Sequence, residues 1–408
     1  MTAPVKCHMR VVALIVGLFF CLGTVVDAFQ TIILPRRPVG RFRITFVFYV
    51  LTWTPWAALA RHTRNPKLRE QLYSIYGPGS LILLLMLWAL LLVSGYGLLF
   101  FALGSPFADG LAAPSLIGHL RTDLYVSGTT LFTLGLGDVV PHTLAARALI
   151  ILESASGLGL VALVIGYVPV LYQSFSRREV SVALLDARAG SPPTSTELLR
   201  RHAFEGGQKA LVVLLSEWER WAAEILESHI SYPILCYYRS QHDNQSWLSA
   251  LTAILDSCAL LISVVPGTAS RQAQLTFAMA RHALVDLGHV FHLEKKAAQW
   301  RNTGGPDRLP PDHFNQVCNL MLEANLRLCG DPEAPARLHA LRALYEPYAQ
   351  ALADYLGMTL PGWVPEPRAK DQWKTVEAVR SQAASVFQNK ESVVSDQAVA
   401  ARLFSRDH

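Results

Sequence analysis

The stretch that decides the fold reads Thr122-Asp-Leu-Tyr-Val-Ser-Gly-Thr-Thr-Leu-Phe-Thr-Leu-Gly-Leu-Gly-Asp-Val-Val-Pro141. It lies between Ser80–Leu103, which carries no charge, and Thr143–Phe175, and both segments are long and apolar enough to cross a bilayer. Thr122 is placed to cap a short helix that runs to Phe132. We therefore predict a helix of about three turns between two membrane spans, followed by a non-helical segment.

Glycine occupies alternate positions after this predicted helix. Glycine adopts φ values that other L-residues avoid, so successive carbonyl oxygens can point to the same side and form a line of ligands. Four such lines around one axis could replace the water shell of a dehydrated potassium ion. The preceding helix would direct the negative end of its dipole towards the ion path. The candidate ion ligands are Thr133, Leu134, Gly135, Leu136, Gly137 and Asp138.

The run Thr-Leu-Gly-Leu-Gly-Asp resembles the potassium-channel filter signature Thr-Val-Gly-Tyr-Gly-Asp, and its Gly-Leu-Gly-Asp form is similar to the second pore loop of two-pore-domain potassium channels. The spacing Asp138-x-x-Pro141-x-Thr143-Leu144-x-x-Arg147, with Gly157 ten residues later, resembles simple bacterial two-helix potassium channels. The resemblance covers Pro78–Arg178. It implies passive potassium transport through a homotetramer with one pore loop per chain, surrounded by membrane lipid and without a cofactor.

Two positions depart from that pattern. Leu136 replaces the usual filter aromatic, so it offers no hydroxyl to the residues behind the filter. Thr129 stands where some bacterial relatives carry a glutamate that pairs with the filter aspartate. These differences predict a less restrained filter, which leaves a weakly selective cation channel as an alternative. A membrane-anchored helical interaction protein with a vestigial pore is a second alternative.

The span after the filter holds the candidate gating residues Gly157, Gly166, Pro169 and Glu153. Proline kinks a helix, and Gly157 matches the hinge position of related channels. Close helix packing through small residues is the alternative. An ionisable group inside a membrane span is functional by default, although Glu153 could instead accept a hydrogen bond from Thr129 or Thr130 on the back of the pore helix.

Three spans are predicted, at Val11–Leu34, Ser80–Leu103 and Thr143–Phe175. Phe42–Ala60 is marginal, because arginine, threonine and proline interrupt it. If it lies along the cytoplasmic interface, eight basic residues around it all lie inside, as the positive-inside rule favours. These residues are Arg36, Arg37, Arg41, Arg43, Arg61, Arg64, Lys67 and Arg69. We favour this arrangement, with the N-terminus outside, although the sequence leaves open whether residues 42–60 span.

Charge is distributed unevenly along the chain, which is 51% hydrophobic and 16% charged overall. Residues 1–178 have a balance of +8, whereas the remaining residues have a balance of −3 and read as ordinary globular chain. The second part shows no basic stripe, so we expect no nucleic-acid partner. Leu248–Val265 is apolar, but Asp256 in its middle predicts a soluble helix. The six cysteines show no regular spacing and are interpreted as reduced.

Residues after 178 are predicted to be all-α. Thr194-x-x-Glu197 has the pattern of a capping box and predicts the start of a long amphipathic helix. No GxGxxG follows a predicted strand, so no nucleotide-binding regulatory domain is expected. The runs His229–Pro233 and Tyr237–His242 resemble bacterial "potassium channel family" proteins with an uncharacterised helical C-terminal region. We expect this region to be cytoplasmic and the protein to lie in a cell membrane, that of the bacterial inner membrane in particular.

These patterns divide the chain into four parts. Residues 1–76 form an anchor helix and an interfacial basic segment, and residues 77–178 form the pore module. Residues 179–366 form the helical domain, and residues 367–408 form a polar helical tail. The overall prediction is an all-α membrane protein built on a two-helix channel pore.

One cluster in the helical part could bind a metal ion. His282, Asp286 and His289 are spaced so that they share one face of a helix. Three donors on one helix usually need a fourth from elsewhere, and no HExxH is present, so an interhelical hydrogen-bond cluster is the favoured alternative. The cluster is also the sole hint of enzyme chemistry, and we expect the protein not to be an enzyme.

Overall fold

The computed structural model describes residues 3–34, 43–108, 115–241, 245–303 and 307–365. The helices are α1 Ala3–Ala28, α2 Ile44–His62, α3 Pro66–Ala102, α4 Leu116–Leu131, α5 Leu144–Ala189, α6 Ser195–Arg201, α7 Gly207–Ser231, α8 Trp247–Ser263, α9 Ser270–Val290, α10 Glu294–Thr303, α11 Pro311–Glu323, α12 Ala334–Ala343 and α13 Glu346–Leu356. A π-helical turn, Phe29–Ile33, extends α1, and a 3₁₀ helix, Pro233–Tyr237, follows α7. The predicted all-α class is confirmed, while the predicted tail at 367–408 lies outside the described residues.

A pair of two-residue strands interrupts the helices. β1, Phe107–Ala108, pairs antiparallel with β2, Val140–Pro141. This pairing joins the segment before α4 to the segment after the glycine-rich run. Helices α3 and α5 are continuous across the predicted boundaries at residues 76 and 178, so rigid helices link the membrane part to the helical domain.

Within the described residues, three helices are long and apolar enough to cross a membrane, at His8–Ile33, Pro66–Ala102 and Leu144–Ala189. Each covers one of the three predicted spans except for a single terminal residue. Helix α2 does not meet this criterion in the described part of the chain. It packs instead against the helical domain, where the Trp53 indole donates to the Tyr355 carbonyl over 3.2 Å. This contact joins α2 to the helical domain, and the position of α2 relative to the membrane stays a prediction.

Helices α1 and α3 approach each other closely through small residues. A Cβ on Gly17 would lie 2.8 Å from the carbonyl oxygen of Gly95, and a Cβ on Gly95 would lie 2.6 Å from the sulfur of Cys21. Glycine at both contact points therefore allows the two backbones to meet, as is common between membrane helices.

The one charged residue of the first predicted span is buried and fully engaged. Asp27 accepts hydrogen bonds from the Thr45 hydroxyl, at 2.6 Å, and from the Trp88 indole, at 3.0 Å. Arg43 lies 4.0 Å from the same carboxylate. Asp27 thus joins α1 to α2 and α3, and these partners offset the cost of placing an acid in an apolar helix.

Helix α8 forms the centre of the helical domain. All its residues except Ile262 are buried, and they pack against α6, α9, α12 and α13. Asp256 in its middle accepts from Arg308 at 2.6 Å and from the Tyr345 hydroxyl. Burial alone would lower the pKa of Arg308, but the Asp256 carboxylate outweighs it and the pKa lies above its usual range. Protein surrounds this helix, as predicted from its acid.

The predicted long helix after Thr194 is wrong in its length. The Thr194 hydroxyl caps α6 by accepting from the Glu197 amide at 3.3 Å, but α6 ends at Arg201. A tight turn follows, in which Gly206 has φ +84° and a Cβ on Gly207 would lie 1.8 Å from the His202 carbonyl oxygen. Adjacent glycines make this turn possible, so the amphipathic pattern continues in a separate helix, α7.

The described cysteines agree with the prediction of reduced thiols. Cys21, Cys236, Cys258, Cys318 and Cys329 are all free. Burial raises the pKa of the Cys236 thiol to about 12, so this thiol is an inert core group.

Candidate functional site

Helix α4 begins seven residues earlier than predicted. Ser115 is its N-cap, because the Ser115 hydroxyl accepts from the Gly118 amide at 3.1 Å. Thr122 therefore lies inside the helix, and the prediction of Thr122 as the cap is wrong. Residues 116–121 contain no helix-breaking proline, so the helix extends back to the first available cap. Its C-terminal end, at Leu131, falls one residue before the predicted end.

The backbone after α4 alternates in conformation. Thr133, Gly135 and Gly137 have φ of +55°, +52° and +76°, whereas Leu134 and Leu136 are not left-handed. The positive φ was predicted at both glycines but not at Thr133. A β-branched residue rarely adopts positive φ, so nothing in its type signals the conformation. Alternation of this kind can turn successive carbonyl oxygens to one side of the chain.

The last turn of α4 holds the start of this segment. The Thr129 carbonyl accepts from the amide of Leu134 at 2.8 Å and from that of Gly135 at 3.3 Å. The Thr133 amide donates to the Thr130 carbonyl over 3.0 Å. The helix end therefore positions the first candidate ligands directly.

The far end of the segment is also tied to α4. The Tyr125 hydroxyl donates to the Asp138 carboxylate over 2.8 Å. The absence of a hydroxyl at Leu136 predicts a loosely held filter, and the bond from Tyr125 to Asp138 was not predicted. The available signal was spacing, since Tyr125 lies one turn before Thr129 on the same face of α4. The hydroxyl that position 136 lacks is supplied from the helix.

Residues 133–138 are all exposed in a single chain. A Cβ on Gly135 or Gly137 would meet no atom within 4 Å. A broad apolar face of α5 is exposed as well and includes Leu144, Ile151, Leu158 and Ile165. One chain therefore leaves both the candidate ligands and the following helix uncovered.

Two of the contacts between α4 and α5 lie one turn apart. Glu153, fully buried, is hydrogen-bonded to Ser127, so the predicted partners Thr129 and Thr130 are wrong. The Thr129 hydroxyl donates within its own helix, to the Val126 carbonyl at 3.0 Å. The crossing of the two helices presents a different face of α4 from the one that we expected.

The second contact is at Gly157, where a Cβ would lie 2.1 Å from the Leu131 carbonyl oxygen. Close packing, the alternative to a hinge, thus has a direct structural basis. Helix α5 continues without interruption past Gly166 and Pro169, and a Cβ on Gly166 would meet nothing within 4 Å. The gating roles of these residues remain predictions.

Arg178 connects α5 to the helical domain. Its side chain is buried, and its guanidinium donates to the carbonyls of Leu235, at 2.8 Å, and Tyr238, at 2.9 Å. Helix α5 continues to Ala189 and carries Arg178 into the helical domain.

Arg178 also determines the protonation of a neighbouring histidine. Its Nη1 lies 3.3 Å from Nε2 of His229, and since a guanidinium can only donate, Nε2 must accept. The proton of the neutral ring is then on Nδ1, 3.0 Å from the Ser228 hydroxyl. Burial, followed by the charge of Arg178, holds the pKa of His229 well below its usual range.

This junction should be sensitive to acid. Below pH about 6.5 the unfolded chain binds a proton at His229 that the folded chain excludes, so stability falls as pH falls, by up to about 1.4 kcal/mol per pH unit. We expect the melting temperature to fall when the pH is lowered from about 7.5 to about 5.5, and to fall further in the wild type than in His229→Gln. The exposed-residue control, His282→Gln, should keep the wild-type drop. Equal drops in wild type and His229→Gln would contradict this assignment.

The candidate metal residues lie on one face of α9, as predicted. His282 Nε2 is 3.6 Å and His289 Nδ1 is 3.8 Å from the Asp286 carboxylate, and both imidazoles are exposed. Within the residues that the structure describes, no group of three or more His, Cys, Asp or Glu side chains is arranged to hold a metal ion. The side chains thus form a loose polar cluster at the surface of the domain.

Comparison with known proteins gives two matches. Residues 88–173, from α3 through α4 and the glycine-rich segment into α5, match the family model Ion_trans_2, described as "Ion channel". The chain is also 24% identical over 276 residues to "Uncharacterized membrane protein YdjJ" of Bacillus subtilis (strain 168), an alignment that covers 65% of this chain and 79% of that protein. No solved structure matches the chain. These similarities indicate an ion channel of the membrane, with its channel segment at residues 88–173.

Proposed function

We propose that four copies of this chain form a channel that conducts potassium ions passively along carbonyl oxygens of residues 133–138. The observation that carries the proposal is the alternating left-handed backbone at Thr133, Gly135 and Gly137, directly after α4. A line of carbonyls on one side of a chain can replace water around a dehydrated cation. The C-terminal end of α4 adds a partial negative charge beside the ion path.

The homotetramer follows from the incompleteness of one chain. A single line of oxygens cannot surround an ion, and residues 133–138 are exposed. Three further copies around one axis would enclose the ion and cover part of the apolar face of α5. Lipid would cover the remainder. Native mass measurements in mild detergent should give a tetramer, and conduction by a monomer would contradict this proposal.

Potassium selectivity needs a filter held at a fixed width. The bonds from Thr129 at one end and Tyr125 at the other support such restraint. Leu136 is the observation that favours the second candidate, a weakly selective cation channel, because this side chain makes no polar contact behind the filter. The two candidates differ only in ion discrimination.

The helical domain is proposed to gate or assemble the tetramer from the cytoplasmic side. Helix α5 enters it without a break, and Arg178 fixes that helix to the 3₁₀ helix Pro233–Tyr237. A shift of the domain would therefore act directly on α5. The basic residues that flank α2 support the cytoplasmic side.

Purified protein in liposomes tests the function. Potassium flux well above sodium flux supports the proposal, comparable fluxes support the weakly selective channel, and absence of flux with intact tetramers supports a vestigial pore. Protein-free liposomes give the background.

The bond between Tyr125 and Asp138 makes a specific prediction. Tyr125→Phe removes the hydroxyl and leaves the ring, so the lost hydrogen bond to a carboxylate, worth about 1–2 kcal/mol, frees one end of the filter. We expect the ratio of potassium to sodium flux to fall by about tenfold while tetramers still form. Tyr348→Phe, in α13 of the helical domain, is the matched control. An unchanged ratio in Tyr125→Phe would show that this bond does not restrain the filter.

A further inference from the structure

Glu153 is an acidic residue with no basic side chain beside it in the described part of the chain. The residue is fully buried in α5. Among the residues that the structure describes, no Lys, Arg or His nitrogen lies within 4.0 Å of its carboxylate. One carboxylate oxygen, Oε2, has no hydrogen-bond partner in that part of the chain. An ionised carboxylate in this position would be buried without compensation, which is very costly.

The hydrogen bonds of Ser127 favour a proton on Glu153. The Ser127 hydroxyl is close to two acceptors, the Val93 carbonyl at 2.9 Å and the Glu153 oxygen Oε1. A hydroxyl has one proton, and a backbone carbonyl can only accept. If Ser127 donates to Val93, the remaining contact is satisfied only when Glu153 carries a proton and donates it to Ser127. All three groups are then paired.

We propose that Glu153 is a protonated, neutral acid that donates a hydrogen bond to Ser127 and so positions the pore helix. The chain of bonds runs from Glu153 of α5 through Ser127 of α4 to the Val93 carbonyl of α3. It lies one turn from the contact between Gly157 and the Leu131 carbonyl. The two contacts hold residues 127 and 131 of α4 against residues 153 and 157 of α5.

Residues 127 and 131 lie on α4, the helix that leads into residues 133–138. The carbonyl of Thr129, which lies between residues 127 and 131 of α4, accepts hydrogen bonds from the amides of Leu134 and Gly135. Loss of the Glu153 proton would place an uncompensated negative charge in this contact, and the Ser127 hydroxyl would have to turn from the Val93 carbonyl to donate to it, so the contact that positions the pore helix on α5 would change. Glu153 acts through Ser127 and is a positioning residue.

The titratable groups nearest to Glu153 come from the other packed helices. Tyr96 of α3 and Cys21 of α1 are both close enough to interact with its charge. The Tyr96 hydroxyl is engaged with Ser156 at 2.7 Å. On α4, Asp123 accepts from Ser105 at 2.6 Å. None of these is a cation at neutral pH, so none favours ionisation of Glu153.

Infrared difference spectroscopy tests the protonation without reference to conduction. The full-length protein at neutral pH should show the carbonyl stretch of a protonated carboxylic acid, and Glu153→Gln should lose it. Ser127→Ala should shift this band, because the acceptor is removed, whereas Ser156→Ala should leave it in place. Absence of the band in the wild type, or its persistence in Glu153→Gln, would overturn the proposal whether or not the protein conducts.

Flux measurements test the positioning role, which rests on the proposed function. Glu153→Ala should lower potassium flux at neutral pH by about tenfold, and Glu153→Gln, which keeps a neutral donor, should restore most of it. Flux through the wild type and through Ser156→Ala should fall reversibly at alkaline pH. Flux through Glu153→Gln should not fall. The role is overturned if Glu153→Gln conducts no better than Glu153→Ala, or if it keeps the wild-type pH profile.

Discussion

Gly135→Ala is expected to abolish potassium flux while the protein still inserts into the membrane and the helical domain stays folded. Gly135 has φ +52°, a conformation that costs a residue with a Cβ about 1–2 kcal/mol. A Cβ there meets no atom within 4 Å of the single chain, so the cost is backbone strain rather than a clash. Four chains would each bear it around one axis, and relief of the strain would rotate a carbonyl away from the ion path.

Gly159→Ala is the matched control for this variant. Gly159 lies in the helical interior of α5, and a Cβ there also meets nothing within 4 Å. The two variants thus add the same methyl group in open space and differ in backbone conformation. Flux through reconstituted protein and the tetramer fraction in detergent are the two measurements. Wild-type potassium currents from Gly135→Ala would contradict the proposed carbonyl filter.

The alternate glycines and the apolar spans could be interpreted from sequence because each signal is local. Glycines at alternate positions, such as Gly135 and Gly137, indicate a backbone with positive φ. A long uncharged apolar segment such as Ser80–Leu103 indicates a membrane span. Asp256 was equally informative, since an acid in the middle of an apolar helix implies a buried partner. That partner, Arg308, is 52 residues away and could not be named.

The features that sequence analysis missed depend on how helices cross. Ser127 and Thr129 are both hydroxyl residues on α4, and only the relative rotation of α4 and α5 decides which of them reaches Glu153. The same holds for Tyr125 and Asp138, since the path of the backbone between them determines whether their side chains meet.

Gly157→Ala is expected to disrupt the pore by overpacking. The added Cβ would lie 2.1 Å from the carbonyl oxygen of Leu131, and because both atoms are close to rigid helix backbone, the helices must move apart. Overpacking of this kind typically costs about 1–3 kcal/mol per site. Since Leu131 ends the helix that holds the filter, we expect both flux and the thermal stability of the tetramer to fall.

The sign of the stability change separates this explanation from the hinge hypothesis. If Gly157 serves mainly as a flexible hinge, alanine should stabilise the helix by about 0.5–1 kcal/mol, and only gating should change. If it serves close packing, the melting temperature should fall. Gly166→Ala, in the same helix with nothing within 4 Å of its Cβ, should gain stability in either case. A more stable tetramer in Gly157→Ala would therefore contradict the packing explanation and leave the hinge, because a clash with Leu131 cannot coexist with a gain in stability.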